Sequence, residues 1–227
     1  MTSFQRSAHD LLASSLWFPM LTAEQRTRVT AEIRQRDHAR GEYVCRKGEI
    51  ADSWIGVVEG FLRVDDPSRE GKVVTYTCVA ANGWIGEGSL LKMEPRRYEI
   101  AATRPSRTAH LPRATFSWLL ESNVAFSRFL LDHLNERLSQ FISMLAWERV
   151  LGLEARVARC MASLYHPFLY PTMSANLKLS QDEVGWLSGI SRPHVNRALK
   201  RLQSEGLIHL DYASVTILDI EKLRNYE

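Results

Sequence analysis

The sequence predicts an α+β fold in three parts: a strand-rich N-terminal half, one long helix, and a C-terminal helix pair followed by a hairpin. Three observations predict it. From about residue 40 to residue 112, short apolar or alternating runs are separated by Gly, Pro, Asp and Ser. From Pro112 onward the apolar period becomes that of a helix, with no proline and one glycine over about fifty residues. Near the C-terminus stands "LSQDEVGWLSGISRPHVNRALKRLQSEGLI", residues 179–208, in which a helix start, a glycine and a basic segment follow one another closely.

The chain has 227 residues, enough for one large or two small domains, and its 45% hydrophobic and 24% charged composition is that of an ordinary globular protein. A net charge of +3 identifies no polyanionic partner, so the distribution of charge must decide. Cys45, Cys78 and Cys160 are odd in number and share no short spacing, which argues against a disulfide framework or a thiolate metal site and fits a reducing cytoplasm. The seven histidines never fall at i, i+4, and no metal is expected. No signal-peptide pattern opens the chain and no window is apolar enough to span a bilayer, so a cytoplasmic protein without a membrane partner is expected.

In the N-terminal half the runs "YVCRKG", "WIGVVEGFLRV", "KVVTYTCVA" and "YEIAATRPSRTAHL" read as closely spaced strands of a β-sandwich or roll. Pro112 can open a helix. In the stretch after it, Leu130, Leu134, Leu138, Phe141 and Leu145 recur at four, four, three and four residues, one stripe of a single long helix. Such a stripe either packs on the chain's own roll or forms a parallel homodimer seam, and the length of the helix favours the seam.

Ser180 and Glu183 form an S-x-x-E capping box, which starts a helix whose apolar face is Val184 and Leu187. Gly189 allows a tight turn, and Ser191 can cap a second helix. In that second helix Val195, Leu199 and Leu202 sit at i, i+4, i+7 for burial, while Arg192, Pro193, Asn196, Arg197 and Lys200 share a polar, cationic face. Proline is tolerated in a first turn, where its missing N–H has no intrahelical partner. A charge run is usually a solvated helix face. Here a short helix pair, side chains able to fork onto base edges and a following alternating segment, "GLIHLDYASVTILD", together favour reading of DNA in the major groove.

This segment resembles the winged helix-turn-helix of the Crp/Fnr (cyclic-AMP receptor protein/Fnr) family of bacterial transcription regulators. The resemblance extends over nearly the whole chain. "GEYVCRKGEIADSWIGVVEGFLRV" looks like the family's β-roll, with Gly41, Gly48 and Gly60 at its turns, and "GWIGEGSLLKMEPRRYEIAA" like its effector-binding segment. It implies an effector-sensing, cyclic-nucleotide-binding-like β-roll over residues 1–112, a dimerisation helix over 113–150 and a winged helix-turn-helix over 151–227. It implies a homodimer on an inverted-repeat operator in double-stranded DNA, with RNA polymerase as a further partner. The family's base-reading positions fall on Arg192, Pro193, Asn196 and Arg197; Gln181, Ser191, His194, Lys200 and Arg201 complete the expected DNA-binding set. Pro193 departs from the glutamate many members carry, so the resemblance does not imply the familiar half-site.

Members that bind cyclic nucleotides use a Gly-Glu pair for the ribose and, ten residues later, an arginine followed by serine or threonine for the phosphate. Gly86 and Glu87 are present, with Gly88 and Ser89 beside them, and Arg97 stands ten after Glu87, but Tyr98 follows it. Arg96, adjacent to Arg97, leaves the register uncertain by one residue. A tyrosine hydroxyl sits too far out on its rigid ring to replace a short one. Phe141 and Ile142 occupy the dimer-helix positions where cyclic-AMP receptors place adenine-binding hydroxyls. The expected effector is therefore a small molecule other than cyclic AMP. No nucleophile and base stand at a recognisable spacing and "GWIGEG" is not a dinucleotide fingerprint, so no enzyme is expected. An Fnr-type iron–sulfur site would need clustered cysteines before Cys45; haem would need one axial histidine, although a lone histidine is more often structural. Two alternatives stand beside a switched regulator: a small-molecule-binding protein whose helix-turn-helix reads no DNA, and a DNA-binding factor that needs no effector.

Overall fold

The computed structural model describes residues 4–67, 73–171, 176–211 and 214–227. They fall in two compact units, Met1–Asn135 with Phe168–Thr172 and Glu136–Pro167 with Met173–Glu227, so that the division lies inside the long helix.

The first unit opens with helices α1 (Ala8–Ser14) and α2 (Ala23–Glu32), each started by a capping box, Ser7 with Asp10 and Thr22 with Gln25. Strands β1 (Arg34–His38), β2 (Tyr43–Cys45), β3 (Ser53–Glu59), β4 (Phe61–Pro67), β5 (Val73–Ala80) and β6 (Trp84–Ile85) follow. A short helix α3 (Glu87–Leu91) then precedes β7 (Glu99–Ala102) and β8 (Ser106–Pro112). The strands form two antiparallel four-stranded sheets, β1-β8-β3-β6 and β2-β7-β4-β5, which is the expected β-roll. Its first strand begins at Arg34, ahead of the alternating pattern, because β1 is exposed over four of its five residues and carries no apolar signal. Trp17, Trp54, Trp84, Phe116 and Phe126 pack as an aromatic core, with Trp54 and Trp84 centroids 4.4 Å apart.

Pro112 ends β8 and precedes the first helical residue, as its fixed φ permits. The long helix is divided: α4 (Arg113–Ser122) stops at Asn123, which is extended, and α5 (Val124–Val150) runs on for 27 residues. Asn123 causes the break and repairs it. Its Oδ1 accepts from Phe126 N at 2.9 Å and its Nδ2 donates to Gln25 Oε1 at 2.7 Å, so the new helix start is capped and tied to α2.

The second unit contains the end of α5, then α6 (Leu153–Ser163), β9 (Asn176–Leu177), α7 (Gln181–Ser188), α8 (Arg192–Ser204), β10 (Ile208–Asp211), β11 (Ser214–Ile217) and α9 (Ile220–Arg224). The expected hairpin is β10 paired with β11, and β9 adds a third antiparallel strand; residues 212 and 213 of the alternating segment lie outside the described residues. Among the described residues no helix is long and apolar enough to cross a membrane.

Candidate functional site

The segment from Ser180 to Ser204 folds as its sequence demands. Ser180 Oγ accepts from Glu183 N while Glu183 Oε2 accepts from Ser180 N at 2.8 Å, the reciprocal capping box that starts α7. Gly189 ends that helix in the left-handed region at φ 66°, which lets the chain turn at once into α8. Gly185 is required for closeness, since a Cβ there would lie 2.8 Å from the Ile190 carbonyl oxygen. Val195, Ala198, Leu199 and Leu202 bury one face of α8, packing with α6 and α7.

The opposite face carries Ser191, Arg192, Pro193, His194, Arg197, Lys200 and Arg201, all exposed, and Asn196, half-buried. Gln181 is half-buried at the start of α7. Two of these side chains behave differently from expectation. Ser191 makes no side-chain cap; its hydroxyl bonds His194 Nδ1 at 2.8 Å, so Pro193 and the bare N-terminal amides open the helix instead. Arg201 pairs with Glu205 at 3.0 Å, which leaves it less free to meet a phosphate than Lys200. Arg192 lies 3.7 Å from Asp182, an exposed and weak pair.

In the effector segment the structure exchanges the two neighbouring arginines. Arg97 points outward and pairs with Glu94 at 2.8 Å, its side chain 69% exposed. Arg96 is the inward one: 2% exposed, it donates to the carbonyls of Gly86 at 3.0 Å and Ser53 at 2.5 Å. Gly86 is needed at this point, because a Cβ would stand 2.4 Å from the Arg96 guanidinium and its φ is 98°. In either register the residue that follows the arginine, Arg97 or Tyr98, offers no short hydroxyl. Glu87 and Ser89 are buried, and Gly88 is half-buried on the same turn. Glu87 Oε2 accepts from Trp54 Nε1 at 3.2 Å, and its Oε1 lies 3.8 Å from His133 Nε2.

Along α5 the expected seam divides. Leu130 is 2% exposed inside the aromatic core and Leu134 packs against that core, so these two serve the first unit's interior. Leu138, Phe141 and Leu145 are exposed, and with Leu131 and Ile142 they form an uncovered apolar row. Sequence period alone does not separate the two faces, because α5 is apolar on both. Cys45 and Cys160 are buried and their thiols pushed up to about 11 and about 12 by burial, which makes them poor nucleophiles or ligands. Among the described residues no cluster of His, Cys, Asp or Glu could hold a metal ion.

Two family models match the chain: "Cyclic nucleotide-binding domain" over residues 35–123 and "Crp-like helix-turn-helix domain" over residues 155–226. The chain belongs to the Crp/Fnr family of transcription regulators. Among similar Crp/Fnr proteins is the "CRP-like cAMP-activated global transcriptional regulator" of Mycobacterium tuberculosis, 27% identical over 199 residues, 86% of this chain and 88% of that protein. The "cAMP-activated global transcriptional regulator CRP" of Haemophilus influenzae is 26% identical over 174 residues, 75% of this chain and 77% of that one. The fold is shared with FixK2 from Bradyrhizobium japonicum, at TM-score 0.72 and 16% identity over 86% of this chain and 97% of that one. This Crp/Fnr chain thus carries the helix-turn-helix DNA-binding domain of its relatives. The sequence alone does not give the inward role of Arg96; the alternation of neighbouring residues in an extended segment is the signal that points to it.

Proposed function

We propose that the protein is a homodimeric, sequence-specific DNA-binding regulator that inserts α8 into the major groove at each half of an inverted repeat. The observation that carries this reading is the α8 face itself. Arg197 and Lys200 stand exposed with no acidic partner within ion-pair reach among the described residues, together with Arg192 and Asn196 on a helix whose other face is buried. Guanidinium and amide groups so placed fork onto guanine and adenine edges. The exposed row of Leu131, Leu138, Ile142 and Leu145 on α5 supports a second copy as its cover, since apolar side chains in a row are seldom left to water.

The effector reading is that of a small molecule other than cyclic AMP. Arg96 is buried and its guanidinium is already bonded to the carbonyls of Gly86 and Ser53, so it is not presented to a cyclic phosphate. The groups for ribose and adenine are not matched: Glu87 is held by Trp54, and Phe141 and Ile142 bring carbon where hydroxyls would be needed. The names of the mycobacterial and Haemophilus relatives attach cyclic AMP to those proteins.

Selection of bound duplexes from random DNA, followed by anisotropy titration at fixed salt, tests the reading. The expected result is an inverted repeat with half-site centres about one helical turn apart, bound by two chains. Enrichment of no motif, with affinity equal across sequences, would overturn it.

A further inference from the structure

The second unit contains a cavity of about 230 Å³ that the DNA-binding reading does not use. It lies where the last turns of α5 meet α6 and α9, with Ser143 and Trp147 on one wall and Arg159, Tyr165 and Arg224 on the other. We propose that this cavity is a binding site for a planar aromatic monocarboxylate of one or two rings.

Size, wall chemistry and charge each narrow the ligand. The volume lies below the roughly 300 Å³ at which drug-sized sites begin, so a nucleotide is too large and a one- or two-ring acid fits. Trp147 and Tyr165 give an aromatic lining, against which a flat ring packs well. Burial holds the Tyr165 phenol well above its ordinary pKa, so it stays neutral and adds no repulsion toward an anion.

The charges in the wall are unequal. Glu136, the acidic member of the lining, has His166 Nε2 at 3.2 Å. Arg224 is anchored, with Nη1 on Glu221 at 2.5 Å and Nη2 on the Tyr165 carbonyl at 3.0 Å. Arg159 differs from both. Its Nε donates to the Tyr226 carbonyl at 2.9 Å, and no carboxylate lies within ion-pair reach of it among the described residues. Its guanidinium is thereby oriented by one backbone bond and its charge left for a carboxylate from outside.

Occupancy would have a consequence for the rest of the unit. Helix α6 supplies Arg159 to the cavity, and its Arg156 donates to the Ser188 carbonyl at the end of α7 at 3.0 Å. A ligand that braces α5 against α6 therefore stiffens the support of the helix-turn-helix. This consequence rests on the DNA-binding reading; the binding itself does not.

The test is calorimetry on the full chain with phenylacetate and indole-3-acetate, beside acetate and phenylethylamine. The expected result is saturable binding of an aromatic acid at one site per chain, with neither acetate nor phenylethylamine bound. Arg159→Gln should weaken that binding by about tenfold or more, and Ser143→Leu, which fills the cavity from the α5 side, should abolish it, each with unchanged circular dichroism. Absence of saturable binding by both acids would overturn the proposal, as would binding that survives both substitutions intact. Operator titration without any acid is a separate measurement, so a failure of DNA binding and a failure of the cavity are told apart.

Discussion

Trp54 Nε1 donates to Glu87 Oε2 across 3.2 Å inside the aromatic core, so the carboxylate that the resemblance assigns to a ligand is held by the protein itself. Both partners are buried, Trp54 at 0% and Glu87 at 5% exposure. Replacing the indole by a ring without a donor leaves a buried carboxylate oxygen short of a hydrogen bond, and Trp54→Phe should cost about 1–3 kcal/mol beyond the change in packing. Urea unfolding of Trp54→Phe beside the double variant Trp54→Phe/Glu87→Gln checks this, because the second change should restore part of the loss. An equal or larger loss in the double variant would show that the bond contributes little.

Cyclic AMP should not act as the switch. Arg96 offers one buried guanidinium, yet it already bonds two backbone carbonyls, and Arg97 is outside with Glu94. Two ligand groups left buried and unpaired would lose about one to four orders of magnitude in affinity. Calorimetry should find no tight stoichiometric binding. Low-micromolar binding that also tightens operator binding about tenfold would mean that the segment rearranges on occupancy.

On DNA, Arg197→Ala should cost about 1–3 kcal/mol on the selected operator and relax preference at one base pair, whereas Lys200→Ala should weaken all sequences alike. Arg201→Ala should do less than Lys200→Ala, because its charge is shared with Glu205. Anisotropy over a salt series separates these outcomes. Unchanged affinity and preference in Arg197→Ala would exclude this face from base reading.

On α5, neighbouring leucines should behave oppositely. Leu138 is 57% exposed, so Leu138→Glu should leave the fold intact and separate the dimer by placing a charge in its seam. Leu130 is 2% exposed, and Leu130→Ala should cost about 2–5 kcal/mol with no change of assembly. Light scattering and urea unfolding on the two variants make the comparison. A monomeric unmodified protein at micromolar concentration would remove the seam altogether.

What the sequence made legible was whatever has a local cause. Ser180 with Glu183 announces α7, Gly189 the turn, and the spacing of Val195, Leu199 and Leu202 the buried face of α8. Thr22 with Gln25 starts α2 by the same local cause, a helix that the strand-rich expectation for the first unit does not include. Other features depend on which surface faces a given side chain. Leu130 and Leu138 carry the same periodicity, and only the packed core takes one of them inside. Arg96 and Arg97 differ by a single step of alternation, so a shift of one residue exchanges the buried cation for the exposed one. Trp147, Arg159 and Arg224 come from three helices, and no spacing in the chain foretells their meeting.

The roll should lose stability in mild acid through a buried histidine chain. His38 Nε2 lies 2.9 Å from Thr108 Oγ1, which lies 2.8 Å from His110 Nε2, and His110 Nδ1 lies 3.1 Å from Ser53 Oγ. Burial holds His110 down to about 3, with Arg36 and His38 adding repulsion, and burial lowers His38 in the same direction. Between the ordinary histidine value near 6.5 and about 3, the unfolded chain binds a proton at His110 that the folded chain refuses. Stability contributed by the neutral ring is therefore whole above about pH 6.5 and falls as pH falls, by about 1.4 kcal/mol per pH unit for one such group. His110→Gln keeps a polar group on β8 but cannot titrate, so it should be less stable than the parent near neutrality, by about 1–3 kcal/mol, and should show a shallower decline toward about pH 5. Urea midpoints and slopes measured at several pH values across that window give both quantities. A decline as steep in His110→Gln as in the parent would place the acid sensitivity elsewhere in the chain.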